Sequence, residues 1–450
     1  MRLRWTFYGL VVLLLSVAIA AGCANEDEPS PVASPDVPSA EPTGIESTAS
    51  GPASDADALE AMTYIEEQVS ELRELETLEP VSKAFLSMDE LRERMTEDVE
   101  EEYSPEEARD EALLYAAFEL MDADIDLYNL MIDLYSEQVA GFYDPDTKEM
   151  YVVKGEGAPG ALERMTYSHE YTHVLQDQHY DLKELGFTDE EKDDADEDSE
   201  QQMAIRSLVE GDASLLMQQY AIQHFSADDI QEVLSESATV ETGVLDSAPE
   251  IVQQSLLFPY EKGLIFAMTL FAKGGWEAVD AAYANPPLST EQIIHPDHYP
   301  YDVPDIVSLP ALTDTLGAGW RMVDEDVLGE FALELYLKNH VDSDAAKTAA
   351  EGWGGDRYAV HWRDDESGFV LALRSAWDSA SDAAEFFDTY TQFAEGRFGS
   401  GPTRRDGDAR LVWLGDDALL LARNAQDETL VLIAPDEDTL NAVLTLFPDF

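Results

Sequence analysis

Cysteine is nearly missing from this chain: its 450 residues contain one, Cys23. That excludes an internal disulfide framework and leaves the body of the protein without a thiol nucleophile or a thiolate metal ligand. Basic residues are scarce too, 26 Lys and Arg against 95 Asp and Glu, for a formal net charge of −69. Phosphate binding needs a basic footprint that such a surface lacks, which argues against a nucleic-acid partner. Anionic membrane surfaces would repel it as well, so any membrane attachment must be hydrophobic or covalent. The acidic excess reads as a heavily hydrated surface that keeps the protein soluble, with its self-repulsion screened in salt. Apolar residues make up 45% of the chain and aromatics 10%, enough for a sizeable core. The length suits two domains and an unstructured piece.

The N-terminus explains the solitary cysteine. Arg2 and Arg4 form a positive start, Phe7 to Ala21 an apolar stretch, and Ala20-Ala21-Gly22 supply small residues before Cys23. This is the layout of an export signal, too short in its apolar part for a spanning helix. Small residues running directly into Cys resemble the lipobox of bacterial-type lipoproteins, with Ala20 where a larger aliphatic is more usual. The resemblance implies that Cys23 is acylated and becomes the first residue of a mature chain anchored outside the cytoplasmic membrane. From Ala24 to about Asp57 the sequence is dominated by Ala, Ser, Pro, Asp and Glu without periodicity, and reads as a tether. The predicted organisation is a signal over 1–22, a tether over 23–56, a mainly helical domain over 57–315 and a smaller α+β domain over 316–450.

Within the helical region, Met62, Ile65, Val69 and Leu72 recur at helical spacing. Ser104-Pro105-Glu106-Glu107 is a helix start, and helix is expected to continue from there to about Glu137. Two β-type runs flanking Asp144-Pro145-Asp146 predict a hairpin over 139–153, whose strand Glu149 to Val153 is read either as taking up an extended peptide by strand addition or as part of an ordinary buried hairpin. A glycine-rich loop (Gly155, Gly157, Gly160) leads into a helix from about Ala161 to Asp177. An acidic loop from Asp189 to Glu200, read as solvated, precedes a helix over 201–225. Further helices are expected from Tyr260 to Lys273 and Trp276 to Ala284, and the proline-rich stretch 286–310 ends the helical part. In the C-terminal part, Trp353-Gly354-Gly355-Asp356 reads as a tight loop. Strands are expected near 358–362, 369–373, 411–414, 419–422 and 430–433, and helices at 379–394 and 440–446.

The chemistry concentrates at His169-Glu170-Tyr171-Thr172-His173. Two histidines four apart on a helix lie about 40° apart around the axis, so both imidazoles reach one metal ion. Glu170, on an adjacent face, is placed to act as general base on water that the metal polarises. With only eight His in the chain, this pattern is expected by chance on the order of 0.02 times. A third ligand is required, and two candidates compete. His179 has the spacing of HExxHxxGxxH sites, but Gln176 occupies the glycine position. On a continuous helix His179 lies about 15 Å along the axis from His169. Glu210, in Ser207-Leu208-Val209-Glu210-Gly211-Asp212-Ala213, offers a carboxylate from a crossing helix, with Gly211 allowing close approach and Asp212 available to orient a histidine. Glu210 is the favoured choice. Tyr260 and His295 are candidate oxyanion donors.

His169-Glu170-x-x-His173 followed by Glu210-Gly211-x-Ala213 resembles the gluzincin branch of zinc metallopeptidases, over roughly residues 135–300. His169 to Leu182 and Pro286 to Pro296 also resemble a group of exported proteins of this type. The resemblance implies a zincin-like domain with an HExxH helix, a small hairpin or sheet and a Glu-bearing helix, within a mainly helical α+β protein. It implies Zn²⁺ on His169, His173 and Glu210, Glu170 as base, and peptide or protein substrates. A metallopeptidase-like scaffold that binds a partner or cell-envelope component is the competing expectation.

Overall fold

The computed structural model describes residues 55–138, 141–153, 158–187, 199–240 and 242–450. The expected export signal, Cys23, nearly all of the expected tether, Gly155, Gly157 and the acidic stretch 188–198 lie outside the described residues. No helix among the described residues is long and apolar enough to cross a membrane.

The chain is an α+β protein in which helices come first and one large sheet comes last. Helix α1 (Asp55–Arg73) buries Met62, Ile65 and Val69, the stripe expected from their spacing. Strand β1 (Ser82–Leu86) follows, then α2 (Met88–Glu102) and α3 (Pro105–Ala117), whose Ser87/Glu90 and Ser104/Glu107 pairs form reciprocal caps that satisfy the first free backbone amides. The continuous helix expected as far as Glu137 is instead interrupted: α3 stops at Ala117, the chain turns with Glu119 at φ 55, and α4 (Leu127–Gln138) begins afresh. The break has a packing cause. Leu113, Leu114, Ala117 and Phe118 enter the core of the C-terminal sheet, whereas Met131, Leu134 and Tyr135 of α4 belong to the helical core. No single straight helix serves both.

Strands β2 (Gly141–Asp144) and β3 (Glu149–Val153) form the predicted hairpin, with Gly141 opposite Val152. Strand β1 adds to it in parallel, Ser82 opposite Glu149, so the sheet order is β1-β3-β2. This corrects the expectation for Glu149 to Val153. Strand β3 is central, both of its edges are already paired, and a peptide cannot add to it; among the described residues the unpaired edges are those of β1 and β2.

Helix α5 (Ala161–Tyr180) and the short α6 (Leu182–Leu185) come next, then α7 (Ser199–His224) and α8 (Ala227–Ser237). After the turn α9 (Gly243–Ser247), α10 (Glu250–Gly274) runs straight through Pro259, where a helix start was expected. The proline removes one helical hydrogen bond, a loss offset by the burial of Phe258, Pro259 and Tyr260 together. Helices α7 and α10 cross backbone to backbone. A Cβ on Gly211 would lie 2.1 Å from the Gly263 carbonyl oxygen, and one on Gly263 would lie 2.1 Å from the Ser207 carbonyl oxygen. The close approach assigned to Gly211 therefore serves α10, not α5.

Helix α11 (Trp276–Ala284) coincides with its expected span. The proline-rich segment after it does not leave the core, because α12 (Thr290–Ile294) buries Thr290, Glu291, Gln292 and Ile293. A short α13 (Thr313–Leu316) leads to the sheet: β4 (Trp320–Asp326), β5 (Trp353–Arg363), β6 (Phe369–Trp377), β7 (Arg404–Arg405), β8 (Arg410–Leu414), β9 (Ala418–Arg423) and β10 (Thr429–Ala434). The order is β4-β5-β6-β10-β9-β8-β7, antiparallel throughout. Helices α14 (Gly329–Leu337), α15 (Ser343–Ala350) and α16 (Ala380–Phe398) cover one face together with the end of α3, and α17 (Glu437–Leu444) covers the other. Trp353 to Asp356, expected as a tight loop, begins β5. Gly355 there lets the chain at Asp305 lie directly on the strand, where a Cβ would come within 2.4 Å of the Asp305 carbonyl oxygen, and the Asp305 amide donates to the Gly354 carbonyl at 2.6 Å.

Gly211→Ala is expected to force α7 and α10 apart, an overpacking loss of about 3 kcal/mol or more. Urea denaturation measures it, and an unchanged midpoint would show that the helices do not meet at this position.

Candidate metal centre

Helix α5 is built to be enclosed. Gly160 and Glu163 cap its start, and Met165, Tyr171, Val174 and Leu175 bury themselves around its axis. His169, Glu170 and His173 therefore sit inside the protein at 0%, 2% and 3% exposure. The adjoining helix α7 brings in Glu210, also 3% exposed. The His169 and His173 Nε2 atoms are 3.1 Å apart, and Glu210 Oε2 lies 3.1 Å from the first and 3.4 Å from the second. These three atoms form a near-equilateral triangle. Donors about 2.1 Å from a tetrahedral zinc ion are separated by about 3.4 Å, so two imidazoles and a carboxylate at this spacing fit that ion with little movement.

His179 does not take part. It lies near the end of α5, where its Nε2 meets the Glu76 carbonyl at 2.8 Å. The position weighed as a helix breaker, Gln176, has a different use: its Oε1 lies 2.7 Å from His173 Nδ1, and its Nε2 donates to the Val209 carbonyl and to Asp212 Oδ2, each at 3.0 Å. An amide oxygen accepts, so His173 carries its proton on Nδ1 and leaves Nε2 free as a ligand. Asp212 orients the histidine through Gln176, one residue further out than expected. It also accepts from Arg73 Nε at 2.8 Å and from the Tyr283 hydroxyl at 2.7 Å. Gln176, Arg73 and Tyr283 carried no recognisable signal in the sequence. Gln176 falls within the motif, but Arg73 and Tyr283 reach the site only through the fold.

Glu170 Oε2 accepts the backbone amide of Tyr143 in β2 at 3.0 Å, while its Oε1 is buried with no hydrogen-bond partner among the described residues. His169 Nδ1 is likewise unpartnered. Burial, reinforced by the Glu210 charge and opposed by His173, pushes the Glu170 carboxyl up to about 7. Burial also lowers the His169 pKa. At His173 burial works the same way but is outweighed by the Glu210 carboxylate, and the ring is raised to about 9. Glu210 is held well below the usual carboxylate range, its own burial overcome by both imidazoles. This charge pairing is the one a divalent cation would take over from the histidine proton.

Tyr260, one of the two oxyanion candidates, stacks beside His169 with ring centroids 6.1 Å apart. Burial, then the Glu210 and Glu170 charges, keep its hydroxyl protonated far above its ordinary range. The other, His295, is placed elsewhere, with its Nε2 2.9 Å from Glu330 Oε1 of α14. Phe187 closes the side next to His173 at 6.1 Å.

Residues 316–444 match the model of a family described as a domain of unknown function (DUF8575). That span covers the C-terminal sheet and its helices and contains none of the residues of this centre. No curated protein and no solved structure matches the chain.

Gln176→Leu removes the acceptor that sets the His173 tautomer and is expected to weaken metal binding about 10–100-fold. Competition with a chromophoric chelator reads this, and an unchanged affinity would mean that the tautomer is set without Gln176.

Proposed function

We propose that the protein is a zinc metallopeptidase of the gluzincin kind, exported and held at the membrane by lipid on Cys23, hydrolysing peptide bonds in peptides or proteins. The observation that carries the reading is Glu170 itself: an unpaired carboxylate oxygen, buried beside three converging metal donors, with its second oxygen fixed by the Tyr143 amide. A site that only held a metal has no chemical need for that fourth side chain. His169, His173 and Glu210 would hold the ion, and zinc so bound supplies Lewis acidity toward a carbonyl oxygen and toward water. Glu170 takes the proton from the attacking water and returns it to the leaving amine, a role for which its unpartnered oxygen beside the three donors is placed. Tyr260, with its proton retained, donates to the oxyanion that develops on the scissile carbonyl. The outer edge of β2, next to α5, is the surface along which an extended peptide can align. The sheet, the HExxH helix and the Glu-bearing helix together support a zincin-like assignment for the helical domain.

Burial favours a second reading. All four side chains are at most 3% exposed, so substrate and water reach Glu170 only if the walls around Phe187 and Tyr260 move. A metal that ties α5 to α7, in a protein whose task is to bind a partner, needs no such movement.

Metal content and casein hydrolysis distinguish the two. Glu170→Gln is expected to keep its zinc and lose proteolysis by about 10²–10⁴-fold, whereas Glu210→Ala loses the metal. Hydrolysis equal in wild type and Glu170→Gln, or none by the zinc-loaded wild type, leaves the binding reading.

A further inference from the structure

A second group of ligand-type side chains lies where the helical part meets the sheet. Helix α12 is fixed from three sides: Ser289 caps it, Thr290 donates through both its amide and its hydroxyl to Glu200 Oε1 at 2.6 Å, and the Phe331 amide of α14 donates to the Thr290 hydroxyl. The chain then folds back over residues 295–302, and the Gln292 side-chain amide holds the Asp302 carbonyl. This return places His298 Nδ1 3.2 Å from Asp302 Oδ2 and 3.6 Å from Glu291 Oε1. One donor atom from each of Glu291, His298 and Asp302 lies within 4.8 Å of the other two.

Glu291 is the informative member. Its side chain is 1% exposed, and its Oε1, directed at His298 and Asp302, accepts no hydrogen bond among the described residues. An ionised carboxylate left unpaired at that depth is costly. Its neighbours compound the cost instead of relieving it. Burial first, then Asp302, Asp378, Glu330 and Glu200, push the Glu291 carboxyl up to about 9. Burial together with Asp302 and Asp382 likewise raises Asp378 to about 6. The nearby His295 is already committed to Glu330. Several carboxylates thus face one partly exposed imidazole.

We propose that Glu291, His298 and Asp302 form a second divalent-metal site, which clamps the 295–302 turn onto α12 at the junction of the helical domain and the sheet. An imidazole with two carboxylates selects a zinc- or manganese-type ion over calcium or magnesium, which prefer oxygen alone. The ion neutralises Glu291 and its surroundings, and through the Thr290–Glu200 bond it steadies the first turn of α7. Glu210 lies about 15 Å further along that helix. The clamp is structural and independent of proteolysis.

The test counts zinc in the mature chain after chelator treatment, reloading with Zn²⁺ alone and gel filtration. His169→Ala/His173→Ala is expected to retain one equivalent, which the further change His298→Ala removes, together with the rise in melting temperature that zinc causes. His298 is 41% exposed, so its replacement leaves the core intact. In the otherwise wild-type protein, His298→Ala is expected to lose one equivalent whatever the starting total, so failure of the His169 centre is read separately. Zinc content and zinc-dependent melting unchanged by His298→Ala would overturn the proposal, as would displacement of this equivalent by equimolar Ca²⁺. Either result would leave Glu291, His298 and Asp302 as a cluster of ionisable side chains that carries no metal.

Discussion

One buried carboxylate organises the helical half of this protein. Asp212, fully enclosed, accepts from Arg73 of α1, Gln176 of α5 and Tyr283 of α11, while Arg73 itself reaches Asp280 at 2.7 Å and lies over the Trp276 ring at 4.4 Å. Four helices therefore meet at a single negative charge. Desolvating a carboxylate and a guanidinium together is expensive, and removing either partner leaves the other stranded, a loss of about 3–5 kcal/mol. Asp212 accepts four hydrogen bonds, two from Arg73 and one each from Gln176 and Tyr283, which fixes the relative positions of the helices closely. His173 inherits that precision through Gln176. The spacing of the three candidate donors is thus a by-product of how this charge is accommodated.

The histidine pair of the candidate site was legible because its rules are local. Four-residue spacing on a helix aligns His169 with His173 regardless of the surroundings, whereas Glu210 was chosen over His179 partly on the glycine beside it, which in the fold serves the crossing with α10. What surrounds those residues was not legible. Gln176 has no meaning as a hydrogen-bond relay until α7 lies across α5. Arg73, at the last turn of a helix rich in acids, looks solvated until the fold buries it. The motif names the candidate ligands, but the supporting shell comes from elements far apart in the chain.

The fold divides along the same line. Helices with clean caps, such as the one opened by Ser104, and turns set by proline and aspartate announce themselves over a few residues. Misreadings occurred where tertiary packing overrode a local rule. Pro259 suggested a boundary, yet the helix passes through it because its flanks are buried. Two adjacent glycines after Trp353 suggested a loop, although the second of them, Gly355, admits the backbone of Asp305 against a strand. Strand β1 carries no signal of its own, and its parallel partner lies more than 60 residues further on. The end of α3 reads as part of the helical domain and packs in the core of the sheet, where the Trp362 indole donates to the Leu113 carbonyl. The boundary near residue 316 therefore follows the chain better than it follows the cores.

The crossing of α7 and α10 also bears on how this protein can change over time. Each glycine there is opposed by main chain, Gly211 by the backbone of residue 263 and Gly263 by that of Ser207. A steric conflict between two side chains can be relieved by trimming the opposite one, which gives drifting sequences a path through paired replacements. No such path exists at this contact, because a peptide backbone cannot be trimmed. Both positions are thus closed to compensated substitution, and descendants of this chain that keep Glu210 beside His169 should retain both glycines even where the acidic surface and the C-terminal sheet have diverged widely.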